Sequence, residues 1–161
     1  MVHRKIAAAA MRKHPPMPGK LPDKIVLFDS QCNLCNGWSR FLLRRDRDAI
    51  FTLCRVQSPA GQRLLQRLGL PLERYETVIY LERHHRQLVA YHRSEAALRV
   101  MAQLPAPWRL LRWLRAIPLP LRDSVYDLVA RNRYRLFGKR PSCRLPAPGE
   151  RHRFLEETDV E

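Results

Sequence analysis

The sequence lacks most of the features that mark secreted and membrane-spanning proteins. It has only four cysteines in 161 residues, and two of them, Cys54 and Cys143, stand alone, which does not fit a secreted disulfide framework. No apolar run approaches the roughly 20 residues that cross a bilayer. The apolar stretch at residues 6–11 is too short for the core of a signal peptide. From these absences we expect a cytoplasmic protein.

Acidic residues are scarce relative to basic ones. The chain has 30 Lys and Arg against 15 Asp and Glu, which gives a net charge of +15. A surplus of this size attracts nucleic acid, anionic lipid and acidic proteins without specificity. The basic residues are spread over nearly every segment, and no basic run is interleaved with stacking aromatic residues. We therefore expect a solvated basic surface and no specific nucleic-acid site.

Residues 28–46, FDSQCNLCNGWSRFLLRRD, carry the most chemical information. Cys32 and Cys35 form a Cys-x-x-Cys pair directly after an apolar run at 25–28, and an amphipathic segment follows. The apolar residues of that segment are Leu34, Trp38, Phe41 and Leu42. The pattern predicts a strand, a tight turn and a helix with the dithiol at its N-terminus. Unpaired N–H groups and the helix dipole favour a thiolate there, which is the form that attacks disulfides.

The segments after the dithiol helix alternate between strand and helix patterns. A second strand is predicted at 49–54, followed by a helix that begins at Ser58-Pro59 and ends at Gly69. The remaining predicted elements are a hairpin of strands 77–82 and 87–92 and a helix with Ser94 as its N-cap. With the first strand included, the order is β-α-β-α-β-β-α. This is the order of the glutaredoxin-like core of the thioredoxin fold, an α/β fold.

The chain continues past this core from about residue 105, which predicts extra C-terminal helices. Residues 108–117 have an apolar arc with two tryptophans, opposed by three arginines. A basic amphipathic helix of this kind either packs on the sheet, which we favour, or makes a weak contact with a membrane surface. A last helix with an apolar stripe follows it. The predicted domain covers residues 23–138, between a disordered basic tail at 1–22 and a polar tail at 139–161.

Several further segments accompany the signature Asp29-x-x-Cys32-x-x-Cys35. These are Phe41-Leu42-Leu43 with Arg45-Asp46, Ser94-Glu95-Ala96-Ala97, Ile117-Pro118, and the stretch from Tyr126 through Asn132-Arg133-Tyr134 to Phe137-Gly138. Together they resemble the DCC family of predicted thiol-disulfide oxidoreductases over roughly residues 24–143. The resemblance implies a thioredoxin-like fold and a redox-active Cys32–Cys35 disulfide without a separate cofactor. Thioredoxin-like proteins usually have a cis-proline just before the third strand, whereas residues 74–78 contain no proline, so the substrate class stays open.

The two cysteines are expected to differ in role. In a helix that starts with Cys-x-x-Cys, the first sulfur lies at the exposed N-terminal turn and the second points back toward the sheet. We therefore predict Cys32 as the nucleophile and Cys35 as the thiol that resolves the mixed disulfide. A helix N-terminus lowers a thiol pKa by less than about one unit, and no cation lies between the cysteines. We expect a modestly activated thiol and a reducing couple.

Asp29 is the third candidate catalytic residue and has two interpretations. Its carboxylate could take the proton of Cys35 when that thiol attacks the mixed disulfide. Alternatively, it is a turn residue at the strand end that accepts hydrogen bonds from backbone N–H groups. The sequence favours neither interpretation over the other.

Three classes of function fit the sequence, and a dithiol-disulfide oxidoreductase is the leading one. A zinc or iron–sulfur site on Cys32 and Cys35 would need further ligands, and neither a second Cys-x-x-Cys nor a His-x₃₋₅-His is present. The scattered residues that could supply them are Cys54, Cys143, His84, His85 and His92. The third class is a non-catalytic module that binds a membrane surface or an acidic partner. For the enzyme, we expect a monomer that acts on a thiol or disulfide substrate or on a redox partner protein.

Overall fold

The computed structural model describes residues 11–13, 21–73, 78–141 and 145–155. The elements in chain order are β1 (Met11–Lys13), β2 (Lys24–Phe28), α1 (Asn33–Arg45), β3 (Thr52–Arg55), α2 (Pro59–Arg67), β4 (Ile79–His84), β5 (Gln87–His92), α3 (Arg93–Met101), a 3₁₀ helix (Trp108–Ala116), α4 (Leu119–Phe137) and a second 3₁₀ helix (Pro148–Arg153). From β2 to α3 this is the predicted β-α-β-α-β-β-α order. The α/β, thioredoxin-like fold is confirmed.

The strands form one mixed sheet in the order β1-β5-β4-β2-β3. β2 pairs with β3 in parallel and with β4 antiparallel, so the crossover between β2 and β3 is the dithiol helix α1. Ile25, Val26 and Leu27 of β2 are fully buried, as expected for a strand without polar alternation that is covered on both faces. The sheet therefore places the N-terminus of α1 at the end of its most buried strand.

Side chains of β2 alternate between two apolar clusters, one on each face of the sheet. Ile25 and Leu27 pack in the cluster that includes the buried side of α2. Val26 and Phe28 pack in the other cluster, which includes buried residues of α1 and α3. The two cysteines of the Cys-x-x-Cys pair belong to this second cluster. The dithiol thus lies on the face of the sheet that α1 and α3 cover.

Most of the predicted element ends are confirmed within a few residues. The Ser58 hydroxyl caps α2 by accepting a hydrogen bond from the Gly61 N–H at 3.1 Å. The first hairpin strand begins at Ile79, and the part of its predicted range at residue 77 lies outside the described residues. Ser94 is not the N-cap of α3, because this helix starts directly after β5. Ser94 lies instead in the first turn, where its hydroxyl donates to Asp123 at 2.5 Å.

The structure differs from both predicted tails. Within residues 1–22, Met11–Lys13 pairs antiparallel with β5 as an edge strand, and Leu21 is buried in the core. The remainder of that range up to residue 20 lies outside the described residues. Within residues 139–161, the Leu155 N–H donates to the Leu53 carbonyl at 2.8 Å and the Leu155 side chain is buried. Leu21 and Leu155 thus pack in the core, although mostly polar residues surround them in the sequence.

The 3₁₀ helix Trp108–Ala116 packs on the domain as an added element, as the favoured interpretation holds, but it packs mainly on α3 rather than on the sheet. The Trp108 ring also contacts Phe41 of α1 edge-on, with 4.8 Å between ring centroids. α3 already covers the sheet in this region, and the added helix forms a further layer outside it. No helix in the described part of the chain is long and apolar enough to cross a membrane.

α4 turns its predicted apolar stripe away from the domain. The exposed residues of the stripe are Leu121, Val125, Leu128 and Val129. The side of α4 that faces the domain is polar instead. Arg122 contacts Glu95 of α3 at 3.2 Å, and Asp127 contacts Arg93 at 3.4 Å. Ion pairs, and not apolar packing, therefore determine which side of this helix faces inward.

Candidate active site

Cys32 and Cys35 meet at the first turn of α1. Cys32 is the N-cap residue, with an extended backbone (φ −84°, ψ 125°) that ends the turn after β2. Its Sγ accepts a hydrogen bond from the backbone N–H of Cys35 at 3.5 Å, and the Cys35 thiol donates to the same sulfur. Both residues are free thiols. The predicted dithiol at a helix N-terminus is thus formed in its reduced state.

The Cys32 sulfur is less accessible than the sequence predicts, while Cys35 is buried as predicted. Cys32 is 0% exposed and Cys35 is 9% exposed. The chain after α4 crosses over the turn, and its Lys139 forms a β-bridge with Cys32. We call residues 137–140 the covering segment. The prediction that the Cys32 sulfur lies exposed is wrong, because this segment from the far end of the domain occupies the space in front of it.

Backbone hydrogen bonds hold the covering segment in place. The Asn33 N–H donates to the Gly138 carbonyl at 3.3 Å, and the Arg140 N–H donates to the Gln31 carbonyl at 2.8 Å. Gly138 has φ 84° and ψ 162°, a conformation that is essentially restricted to glycine. A Cβ at this position would also lie 3.0 Å from the Asn33 side-chain nitrogen. Glycine therefore lets the chain leave α4 and turn back over the dithiol.

The hydrogen bond from the Cys35 thiol lowers the pKa of Cys32 to about 6, although burial opposes this change. The Cys35 backbone N–H and the positive charge of Arg133 act in the same direction. The same thiol hydrogen bond, together with burial, raises the pKa of Cys35. The two shifts favour a thiolate on Cys32 and a protonated thiol on Cys35. This activation exceeds the modest one predicted, because the sequence did not reveal the contribution of Cys35 and Arg133.

Asp29 is buried at the turn between β2 and α1, where donors from distant segments hold its carboxylate. Oδ1 accepts hydrogen bonds from the Gln31 N–H at 2.9 Å and from the Gln57 side chain at 2.5 Å. Oδ2 accepts from Arg133 at 3.3 Å and from the Tyr134 hydroxyl. The bond from Gln31 is the one that the turn interpretation predicts. The bonds to Oδ2 attach the end of α4 to the dithiol turn.

Arg133 and Tyr134 are site residues that sequence reasoning missed. Arg133 and Asp29 form a buried ion pair, with side chains 8% and 3% exposed. Arg133 also donates to the Tyr134 hydroxyl at 3.1 Å. A signal was present in the sequence, because charged residues recur at helical spacing along one side of α4. They oppose the apolar stripe, which is the stronger sequence signal for an inward face.

Comparison with known proteins assigns this site to a family. Residues 26–139 match the family described as DCC1-like thiol-disulfide oxidoreductase. The chain belongs to this family. YuxK of Bacillus subtilis (strain 168), named as uncharacterized, is 41% identical over 136 residues, which cover 84% of this chain and 96% of YuxK. A DCC family protein of Arabidopsis thaliana, named as chloroplastic, is 38% identical over 122 residues, or 75% of this chain and 69% of the relative. No solved structure matches.

The DCC match confirms the resemblance that the sequence motifs indicate. It includes the dithiol, Asp29 and the two α4 residues that contact Asp29, since all of them lie within residues 26–139. The description of the family agrees with the paired cysteines, and a thiol-disulfide redox role follows for the family. Its match ends within the covering segment, so this DCC family region includes α4.

An apolar cavity of about 180 Å³ adjoins Cys35 in this DCC family chain. Its walls are Leu34, Cys35, Trp38, Val78, Ala97, Tyr126, Val129, Ala130 and Arg133. Trp38, interpreted from the sequence as a core residue, is half-buried and forms part of this wall. A larger open groove of about 450 Å³ lies between α1 and the second 3₁₀ helix, and Arg40, Arg44 and His152 line it. The smaller cavity is the one in contact with the dithiol.

The metal-site alternative gains no support from the described residues, in which no group of three or more His, Cys, Asp and Glu side chains could hold an ion. Cys54 lies in the cluster on the opposite face of the sheet from the dithiol. Burial there raises the pKa of Cys54 to about 12. Cys143 lies outside the described residues. The dithiol therefore lies apart from Cys54.

The lowered pKa of Cys32 predicts a shifted pH profile for alkylation. Because the thiolate is the reactive form, the rate of Cys32 labelling by iodoacetamide should be half-maximal near pH 6 and fall further as the pH decreases. An ordinary thiol would reach half of its maximal rate only at about pH 8.5. Mass spectrometry of the labelled peptides measures the profile. Reagent reaches Cys32 when the covering segment moves aside, whereas Cys54 lies within the core with a raised pKa and should remain unlabelled in the folded protein. A midpoint near 8.5 for Cys32 would contradict the proposed activation.

Proposed function

We propose that this protein is a dithiol-disulfide oxidoreductase in which Cys32 is the nucleophile and Cys35 the resolving thiol. The observation that carries the proposal is the position of Cys32 as the N-cap of α1, where its sulfur accepts a hydrogen bond from the Cys35 N–H at 3.5 Å. This position favours a thiolate on Cys32, while the hydrogen bond to Cys32 and burial raise the pKa of Cys35 and keep its proton in place. This difference fits the dithiol mechanism, in which one thiolate attacks the substrate disulfide and the second thiol later resolves the mixed disulfide. Family membership supports the same chemistry.

The proposed reaction reduces a disulfide substrate by two electrons. The Cys32 thiolate attacks one substrate sulfur and forms a mixed disulfide, and the other substrate sulfur leaves as a thiolate that takes a proton from water. Cys35 then loses its proton to a base, and its thiolate attacks the Cys32 sulfur. The Cys32–Cys35 disulfide forms as the second substrate thiol leaves. A separate thiol donor reduces this disulfide and completes the cycle.

Arg133 stabilises the negative charge at both stages of this reaction. Its charge lowers the pKa of Cys32 and the pKa of Cys35, so it favours the thiolate that attacks and later the thiolate that resolves. Asp29 holds Arg133 beside the dithiol through their ion pair at 3.3 Å. The negative charge of Asp29 itself raises the pKa of Cys35. We assign Asp29 as a positioning residue, and transfer of the Cys35 proton to Asp29 is the alternative.

Attack by Cys32 requires the covering segment to move away from the sulfur. Its displacement breaks the bridge between Lys139 and Cys32 and exposes the dithiol turn. It also releases the Gln31 carbonyl and the Asn33 N–H, which the segment occupies in the structure. An extended peptide can form the same two backbone hydrogen bonds. We therefore propose protein disulfides in extended segments as substrates, even though the proline usual in thioredoxin-like proteins is missing.

Two linked measurements test this function. Oxidation should remove two hydrogens from the peptide that contains Cys32 and Cys35, and dithiothreitol should restore them. The protein should also reduce hydroxyethyl disulfide with glutathione as the thiol donor, and a Cys54→Ser control should retain this activity. An oxidised pair that includes Cys54 or Cys143 would overturn the site assignment. Stoichiometric zinc or iron that is lost in Cys32→Ser would replace the redox proposal with a metal site.

We further propose that the reaction takes place in the cytoplasm, where thiols are kept reduced. The partners are a thiol or disulfide substrate and a thiol donor, which can be a redox partner protein. The reduction potential of the Cys32–Cys35 pair determines the direction of electron flow. A value below about −220 to −260 mV, the glutathione range found by biochemical extraction, would make the protein a reductant in that compartment.

A further inference from the structure

Exposed apolar side chains are concentrated on the 3₁₀ helix Trp108–Ala116 and on α4. We call this surface the apolar face and define it by Leu110, Trp113, Leu114, Leu121, Val125 and Leu128. Trp113 is 67% exposed and Leu128 is 65% exposed. Single apolar residues are common on protein surfaces, whereas groups of large ones mark interaction sites. The two elements that carry the apolar face follow each other in the chain and both pack on α3, so we expect the face to bind a partner.

Polar contacts fix the outward orientation of this face. On the inner side of α4, Arg133 pairs with Asp29 at 3.3 Å and Asp127 pairs with Arg93 at 3.4 Å. Arg122 pairs with Glu95 at 3.2 Å. A rotation of α4 that buried its apolar stripe would break all three contacts and leave buried charges without partners, which is costly. The apolar side of α4 is consequently not available to the core of its own domain.

The charge around the apolar face is strongly basic. Of the seven arginines in residues 108–137, three pair with Glu95 or Asp29, and the other four are exposed. The same range contains two aspartates. Both aspartates point inward, since Asp123 accepts from Ser94 at 2.5 Å and Asp127 pairs with Arg93 at 3.4 Å. On the outer side, the Arg112 guanidinium lies 5.3 Å from the centre of the Trp113 ring. Exposed arginines thus lie among the exposed apolar residues, while the acidic side chains of these elements make contacts within the fold.

We propose that the apolar face docks on an anionic lipid surface. Leucine, valine and tryptophan side chains would enter the boundary between headgroups and acyl chains, and the arginines would contact lipid phosphates. Tryptophan is favoured at this boundary because its ring has an apolar body and a polar N–H. A second copy of the chain fits less well, because two basic rims would meet in proteins that each carry a net charge of +15. This inference does not depend on the proposed redox function.

Vesicle binding tests the proposal with the full chain. Vesicles of phosphatidylcholine with about 30% phosphatidylserine should sediment the protein, while pure phosphatidylcholine vesicles should bind it at least about tenfold more weakly. High salt should weaken the binding to the anionic vesicles, because it screens the contribution of the arginines. Cys32→Ser should bind as well as the wild type. Equal binding to both kinds of vesicle, or binding that salt does not affect, would overturn the proposal.

Variants of exposed residues separate the apolar face from general charge attraction. Leu110→Gln with Trp113→Gln, and separately Leu128→Gln, should each reduce vesicle affinity by about tenfold or more without changing the fold. Leu145→Gln is the matched control, because Leu145 is 70% exposed and lies outside the apolar face. Unchanged binding in the face variants, or equal loss in the Leu145 control, would overturn the proposal. So would a dimer that the face variants abolish in the absence of vesicle binding.

Discussion

Cys35→Ser is expected to accumulate a covalent adduct with oxidised glutathione, whereas Cys32→Ser is expected to form none. The Cys32 thiolate can still attack when Cys35 is replaced, but no second thiolate is present to resolve the mixed disulfide. Without Cys32, the rate of disulfide reduction should fall by at least about 10³-fold, which corresponds to about 4 kcal/mol of activation free energy. Cys35 does not substitute for Cys32, because burial raises the pKa of Cys35 even without its hydrogen bond to Cys32.

Intact-mass measurement after incubation with oxidised glutathione detects the adduct. Cys54→Ser is the matched control, since Cys54 is a buried thiol on the opposite face of the sheet and should behave as wild type. Equal adduct formation on Cys35→Ser and Cys32→Ser, or an adduct on Cys32→Ser alone, would show that the nucleophile is misassigned.

Asp29→Asn in the Cys35-containing protein distinguishes the two roles of Asp29. If Asp29 takes the proton from Cys35, the mixed disulfide should form at a normal rate and resolve slowly. If Asp29 positions Arg133, formation should also slow, because the Cys32 thiolate loses part of its stabilisation. We expect the second result, since the carboxylate is already occupied by Arg133 and Tyr134.

Arg133→Leu is expected to destabilise the protein by about 3–5 kcal/mol, because it leaves the buried Asp29 carboxylate without its cation. The same change should raise the pKa of Cys32, since the positive charge of Arg133 lowers it in the wild type. The midpoint of Cys32 alkylation should then move upward from about pH 6. Urea unfolding measures the stability, and the alkylation profile measures the pKa.

Two further variants make this result specific. Arg131→Leu removes an exposed arginine from the same helix and should change stability by no more than about 0.5 kcal/mol. Arg133→Leu combined with Asp29→Leu removes both charges and should recover part of the lost stability, because no unpaired charge stays buried. If Arg133→Leu were as stable as Arg131→Leu, the ion pair would not hold α4 on the domain. An unchanged alkylation midpoint would remove Arg133 from the proposed mechanism.

The order of elements and the position of the dithiol could be predicted because both depend on local patterns. The uninterrupted apolar run of β2 indicates a strand covered on both faces, and the Cys-x-x-Cys directly after it locates the start of α1. Ser58 and Pro59 begin α2 through contacts with residues only a few positions away. Such signals are contained in short windows of sequence, so a single chain is enough to recognise them.

The environment of the dithiol could not be predicted, because it depends on contacts between distant segments. Arg133 and Asp29 are separated by 104 positions, and a single sequence does not show which charges meet. The covering segment likewise comes from the chain after α4, so the burial of Cys32 has no local cause. The apolar stripe of α4 indicates the wrong inward face, because amphipathicity shows that two faces of a helix differ in polarity but not which of them packs on the domain. In α4, ion pairs determine which face packs inward.

The segment around the second 3₁₀ helix shows that the folding unit is longer than the stretch of family similarity. The family match ends at residue 139, yet Arg153 reaches back to the buried Asp46 carboxylate at 2.5 Å. The Phe154 ring packs edge-on against Phe28 of the central strand, with 6.3 Å between ring centroids. A chain cut at residue 139 would leave a carboxylate without its cation and a core aromatic ring open to water. Expression boundaries taken from the family match alone would therefore give a protein with an incomplete core, and a low activity in it would report on folding rather than on chemistry.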